Sequence, residues 1–247
     1  MNKNDLMIYI CSYKDFDLSN IPEGDYYQIL DYNNCDNDLN DIKLLYSEYY
    51  HFYDIFKNRD IPNYIGMCHY RRFLDISNKD LEELENNNID IILPKPYRFG
   101  ISNYNQYTQN FDPYFLKVTG AIIKKYYPEY LQYYCDFFNN YQLYANSIFI
   151  SRKELFLDYC NFVFDIFDKF KNYFKFNSVK DVYKYITNNS DKFTMDNIKL
   201  SNMNKEKFEE FRHNFSRIFG FLGERLLNVY VMKNKLKILE VPIKIYY

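Results

Sequence analysis

The sequence predicts an α/β fold: a mostly parallel sheet flanked by helices, built as a single domain over residues 1–247. Three observations lead there. The apolar run LMIYICSY, 6–13, is continuous rather than alternating, as a strand buried on both faces requires. Runs of the same kind recur at NYIGMCHY (63–70) and IDIILPKP (89–96), separated by segments whose apolar residues repeat at helical spacing. The chain has 247 residues and no obvious linker or internal repeat, which favours one large core over two small ones.

The remaining elements follow in order. QILDYNNCDNDLN, 28–40, reads as a short strand and a polar loop. In DIKLLYSEYYHFYDIFKN, 41–58, Ile42, Leu45, Tyr46, Tyr49, Phe52, Tyr53 and Phe56 share one helical face, and Asn58 to Pro62 end the helix. NKDLEELENNN is a short acidic helix, and Pro94 and Pro96 stop the strand IDIILPKP. Residues 97–116, rich in Asn, Gln and Tyr, read as a long loop of the kind that often carries function.

KVTGAIIKKYYPEYLQYYCDFFNN, 117–140, is helical, with Pro128 opening a second segment. YANSIFI, 144–150, is a strand. SRKE then forms a capping box, Ser151 at the cap and Glu154 three residues on, ahead of a long helix with a broad Phe and Leu face. Residues 171–216 are polar, rich in Lys and Asn, and read as a helical insertion or a mobile segment. FGFLGERLLNVYVMKN is a helix beginning after Gly220 and Gly223. The closing strand KLKILEVPIKIYY sets Leu239, Val241, Ile243, Ile245 and Tyr247 on one face.

Bulk chemistry excludes several classes. A net charge of −2 offers no basic field for nucleic acid, so any anion site must be local. The 29 Tyr and 23 Phe accompany many Asn, Lys and Ile and reflect compositional bias, although they also supply surface for a sugar to stack on. Five cysteines with no CxxC spacing suggest neither a disulfide framework nor a zinc site, as in a reduced, cytoplasmic protein. The first apolar run is too short for an export signal or a membrane span.

Chemistry gathers at two places. HYRR, 69–72, ends an apolar strand, and in parallel sheets ligands bind beyond the carboxyl ends of strands. Two arginines and a histidine suit a diphosphate, since the guanidinium fork does not titrate away. The alternative is that Arg71 and Arg72 pair with surface carboxylates while His69 is a satisfied core residue. In SRIFGFLGERLLN, 216–228, Gly220 and Gly223 permit close approach of a ligand or a packed strand. Glu224 there is a candidate general base, or a first-turn glutamate favoured by the helix dipole. GxGxxG, GxxxxGK[ST] and GxSxG are absent, and three histidines (His51, His69, His213) do not favour a histidine-rich metal site. Of two DxD tripeptides, Asp15–Asp17 and Asp36–Asp38, the second precedes a helix and is the better candidate to hold Mg²⁺ or Mn²⁺.

Taken in order, SEYYHFYDIFKN, NYIGMCHYRRFL, IDIILPKP, YPEY, YANSIFISRKELFLDYCNFVFDIF and GFLGERLLNVYV resemble an uncharacterised-domain family of bacterial capsular and exopolysaccharide glycosyltransferases, from Asp36 to Pro242. Residues 171–216 are longer than that family needs. The resemblance implies a nucleotide-sugar-dependent hexosyltransferase with a GT-A-like sheet, in which HYRR stands where a DxD would end a strand. It implies Glu224 as catalytic base, with Glu48 as runner-up. His69, Tyr70, Arg71, Arg72, Asn146, Ser147, Arg217 and Gly223 are implied to contact the nucleotide sugar. The cations would do at least part of a metal's work, with Asp36, Asp38 or His69 as fallback ligands for Mg²⁺ or Mn²⁺. The implied donor is a UDP-sugar, galactose in pyranose or furanose form being favoured, and inverting transfer is favoured. The acceptor is a glycan or lipid-linked oligosaccharide at the inner face of the membrane, met by peripheral contact. A carbohydrate-binding module without turnover and a nucleotidyl or phosphoryl transferase stand as alternatives.

Overall fold

The computed structural model describes residues 5–13, 21, 22, 24–33, 35, 38–195 and 197–246. Strands Leu6–Ser12 (β1) and Tyr27–Asp31 (β2) open the chain, followed by helices Lys43–Tyr46 (α1) and Tyr49–Asn58 (α2). Next come Tyr64–His69 (β3), Arg72–Leu74 (β4), helix Asn78–Glu85 (α3), Ile91–Pro94 (β5) and Tyr97–Arg98 (β6). Helices Asn103–Thr108 (α4), Pro113–Tyr126 (α5) and Leu131–Asn139 (α6) lead to Gln142–Leu143 (β7), Phe149–Arg152 (β8) and the long helix Lys153–Phe174 (α7). Val179–Asn188 (α8), the short pair Thr194–Met195 (β9) and Ile198–Lys199 (β10), and Lys205–Phe215 (α9) follow. Ile218–Lys233 (α10), Ile238–Val241 (β11) and Ile243–Ile245 (β12) close the described chain.

The main sheet has the order β11-β5-β8-β3-β1-β2. It is mixed: β8 runs antiparallel to both neighbours, while β1, β2 and β3 pair in parallel and β5 and β11 pair in parallel. β4 folds back on β3 as a hairpin and receives β12 on its other side. Successive residues of a strand point to opposite faces, and both faces are buried. Leu6, Ile8 and Ile10 join Leu81 and Leu84 of α3, whereas Tyr9, Ile65, Met67 and Phe149 pack into the larger core formed with α2, α5, α6, α7 and α10. All five cysteines are free.

Tertiary packing redraws several sequence expectations. The helix expected over 41–58 breaks at Ser47, whose backbone sits at φ 52°, ψ −129°. Residues 97–116 are not one loop, since they hold β6, α4 and the first turns of α5. α4 and α5 are capped by the Ser102 and Asp112 side chains, signals hidden in an Asn- and Tyr-rich stretch. The strand expected at 144–150 spans 149–152 instead, because Asn146 and Ser147 turn at φ 69° and 52°. Ser151 does not cap α7: it lies in β8 opposite Ile65 and Ile91, and Arg152 takes the cap position. α10 starts at Ile218, ahead of both glycines. The C-terminal run splits at Pro242, so of the expected face only Val241 is buried, Leu239 and Ile243 are partly covered, Ile245 is exposed, and Tyr247 lies outside the described residues. Within 171–216 lie the end of α7, then α8 and α9, with a full capping box at Ser178 and Asp181.

Candidate functional site

The hairpin between β3 and β4 divides the HYRR tetrapeptide in two. His69 pairs directly with Arg72, so their side chains leave the same face of the sheet. Tyr70 and Arg71 form the turn, where Arg71 is exposed, its guanidinium carbon 5.1 Å from the Tyr70 ring centroid. His69 and Arg72 line a polar cavity of about 220 Å³ with Glu48, Asn146, Arg217, Gly220, Phe221 and Glu224. Tyr70 and Arg71 do not line it.

The break at Ser47 builds a second wall. With Ser47 turned out of helical geometry, Glu48 restarts the helix as the cap residue of α2. The turn lies hard against α10, since a Cβ on Gly220 would sit 2.8 Å from Ser47 Cβ and 3.2 Å from Glu48 Oε2. Only glycine leaves room there. Ser47 Oγ accepts hydrogen bonds from Arg217 Nε at 2.9 Å and Nη2 at 2.5 Å. Arg217 Nη2 is also 3.6 Å from Glu48 Oε2. That oxygen is buried and has no hydrogen-bond partner among the described residues.

The run ERLLN holds the third wall. Glu224 Oε1 accepts from Arg225 Nη1 at 2.7 Å, and Oε2 accepts from the Asn146 backbone N–H at 2.7 Å. Arg225 Nη2 donates to Gln106 Oε1 on α4 at 2.8 Å. Asn228, one helical turn beyond Glu224, bonds both the N–H and the carbonyl of Tyr144. These contacts fix the left-handed Asn146–Ser147 turn to α10. The His69 ring in turn bonds the Asn146 backbone, while its Nε2 is buried with no partner among the described residues.

Burial is the first cause of both pKa shifts in the cavity. It raises the Glu224 carboxyl above the ordinary carboxylate value against the opposing pull of Arg225 and the Asn146 N–H. It lowers His69, although Glu48 pulls the other way. The cavity therefore presents two guanidinium groups, an imidazole and two carboxyl groups, one of them with an open oxygen.

A larger cleft of about 570 Å³ adjoins the cavity, and Arg217 lines both. Tyr13 at the end of β1 and Tyr32 at the end of β2 line it, with ring centroids 5.1 Å apart. Lys43 Nζ lies over the Tyr32 ring at 4.5 Å, and Tyr13 OH is 3.3 Å from Ser47 Oγ.

Residues 20–188 match the sequence profile of a family described as a domain of unknown function, DUF4422. The chain belongs to the DUF4422 family. The matched span starts before Asp36 and stops short of GFLGERLLN, so the 220–228 segment lies beyond it. Among solved structures, WbbM, a bifunctional glycosyltransferase in its apo form, aligns at 22% identity with a TM-score of 0.70. The alignment covers 98% of this chain and 45% of WbbM, which shows a shared fold with part of that larger protein. No curated protein matches the DUF4422 chain significantly.

Of the residues singled out in the DUF4422 sequence, Glu48, His69, Arg72, Asn146, Arg217 and Glu224 meet around one cavity. Ser147 does not join them: it is fully buried and shares a hydrogen bond with Tyr49 OH at 2.9 Å. Gly223 is a packing position, because a Cβ there would fall 2.3 Å from the Tyr49 ring. Asp36 lies outside the described residues, and Asp38 is exposed in a turn. Among the described residues, no group of three or more His, Cys, Asp or Glu side chains converges to hold a metal ion. Sequence reading passed over Ser47, Arg225, Gln106, Asn228, Tyr13 and Tyr32. Arg225 and Asn228 stand in the quoted ERLLN run, where Asn228 lies four residues after Glu224 and three after Arg225, the spacings of neighbours on a helix.

Proposed function

We propose that this DUF4422 chain is a glycosyltransferase with a GT-A-like fold, 1–247 acting as one unit with 171–216 as a helical insertion. It moves a hexosyl group, with galactose favoured, from a UDP-sugar to a hydroxyl of a glycan or lipid-linked acceptor at the cytoplasmic side of the membrane. The observation that carries this reading is Arg217, which lines both the tyrosine-walled cleft and the small polar cavity. A nucleotide with its base against Tyr13 and Tyr32 would bring its diphosphate to that junction. The cleft's 570 Å³ falls in the usual range for small-molecule sites, roughly 300–1,000 Å³. The shared fold with part of WbbM supports the same reading.

The chemistry follows from the charges. As the bond between the anomeric carbon and the diphosphate oxygen breaks, its electron pair stays on that oxygen. Arg217 and Arg72 are the cations aimed at the growing charge, in a partly desolvated site where such contacts are strong. The acceptor oxygen bonds the anomeric carbon while its proton passes to a carboxylate. We assign that role to Glu224, which two hydrogen bonds orient and burial makes more basic. Glu48 is the second candidate, because its Oε2 is buried and open. A single displacement of this kind inverts the anomeric centre.

The test is product analysis with UDP-hexoses and a glycan acceptor. The reading expects UDP as the nucleotide product, with release sharply reduced by Arg217→Ala. Hexose 1-phosphate as the released product would instead mark nucleotidyl transfer and contradict it.

A further inference from the structure

Away from this site, α5 carries an unusual exposed face. Its sequence PYFLKVTGAIIKKY has three lysines and no carboxylate. Phe115, Leu116, Val118, Ile122 and Ile123 face the core, leaving Tyr114, Lys117, Ala121, Lys124, Lys125 and Tyr126 outward. Two apolar grooves, of about 930 and 440 Å³, flank this helix and share Tyr114 and Lys117. Tyr104, Tyr114, Tyr126 and Tyr173 border them at 44, 37, 48 and 56% exposure, four of the nine large hydrophobic side chains left open on the molecule's described surface. Tyr126 is flanked by the ammonium groups of Lys125 at 4.9 Å and Lys169 at 4.5 Å from its ring centroid.

Three nearby acids are already engaged, while Asp136 and Asp191, each next to a groove-lining residue, lie exposed. Asp112 is buried and accepts from the Tyr114 N–H and Tyr185 OH. Asp165 is held by Lys169 and Tyr127 OH, and Asp168 by Lys171. The face thus combines apolar grooves, amphipathic phenols and surplus positive charge. Tyrosine and lysine with apolar bodies and polar tips are the side chains that settle at a lipid–water boundary. The grooves and the exposed tyrosines beside them offer a surface for a partner, and its charge selects an anionic one.

We propose that the α5 face docks the protein on an anionic lipid bilayer surface, its tyrosines at headgroup level and Lys117, Lys124 and Lys125 against lipid phosphates. No helix among the described residues is long and apolar enough to cross a membrane, so such contact is peripheral. The surface is read independently of the transfer chemistry, and its test needs no substrate.

The experiment is co-sedimentation with phosphatidylcholine vesicles, with and without phosphatidylglycerol, at low and high salt. The full chain should sediment with the anionic vesicles only, and less at high salt. Lys117→Glu/Lys125→Glu should weaken binding by about tenfold or more, with an unchanged melting temperature showing that it folds. Tyr114→Ser/Tyr126→Ser should weaken the fraction that survives high salt. Lys79→Glu, on α3 over the other face of the sheet, should change nothing. Equal binding to both vesicle types, no binding to either, or a Lys79→Glu effect as large as that of the α5 variant would overturn the proposal; no binding to either would turn attention to a protein partner.

Discussion

The Arg217 guanidinium grips Ser47 Oγ through two nitrogens, at 2.9 and 2.5 Å, and the residue it grips stands in a left-handed break between two helices. A non-glycine residue at φ 52°, ψ −129° costs of order 1–3 kcal/mol, and such strain persists where the surroundings over-determine it. Here the strained turn does two things: it brings Glu48 to the cavity and hands Arg217 an acceptor.

Ser47→Gly should separate stability from activity. Glycine relieves the backbone strain but loses the hydroxyl, a hydrogen bond to a charged group worth about 1.5–3 kcal/mol. The melting temperature should change little while turnover falls about tenfold, as an unanchored cation predicts. A parallel loss of both, followed by thermal unfolding and UDP release, would make Ser47 merely structural.

Gly223→Ala should do the opposite. Its Cβ would fall 2.3 Å from the Tyr49 ring, whose hydroxyl is committed to Ser147 and Tyr159. Overpacking of this kind costs about 1–3 kcal/mol. A lowered denaturation midpoint with unaltered nucleotide affinity in the remaining folded protein is expected.

Glu224→Gln should lower turnover by about 100-fold or more while nucleotide binding persists. The wild-type pH profile of kcat/KM should rise with pH through a limb above the ordinary carboxylate range. Burial raises the Glu224 pKa, and only the deprotonated form can take a proton. The Gln variant should lose that limb. If the limb is lost in Glu48→Gln instead, Glu48 is the base.

Transfer should continue in EDTA. Two guanidinium groups line the cavity, where their fixed positive charge can meet that of the leaving diphosphate. Complete loss of transfer in EDTA, restored by Mn²⁺, would contradict the assignment of leaving-group charge to Arg72 and Arg217.

β1, β3 and β5 were legible because each is a continuous apolar run, and HYRR was legible because charges ending such a run have nowhere buried to go. What the sequence did not show is which half of HYRR turns inward. That is decided by a two-residue hairpin that pairs His69 with Arg72 and leaves Tyr70 and Arg71 at its tip. Ser47 was invisible for another reason: the apolar spacing of 41–58 is continuous through it, and its tertiary partners at the break, Gly220 and Arg217, leave no mark in that spacing. The box read at SRKE failed because β8 pairs on both sides through Ser151, and sheet pairing outweighs a local cap. Arg225 was overlooked because a helical arginine beside a glutamate is common on surfaces, whereas here α4 covers it and supplies Gln106.

The central claim is that Arg217 and Arg72 grip a nucleoside diphosphate where the cleft meets the cavity. Calorimetric titration of UDP into the wild type, Arg217→Ala and Arg72→Ala tests it directly. Each substitution removes charge-assisted hydrogen bonds worth about 1.5–3 kcal/mol, so each should weaken UDP by about 10- to 100-fold, and uridine without phosphates should bind all three proteins alike. UDP affinity unchanged in both variants, or no UDP binding to the wild type, would contradict the account.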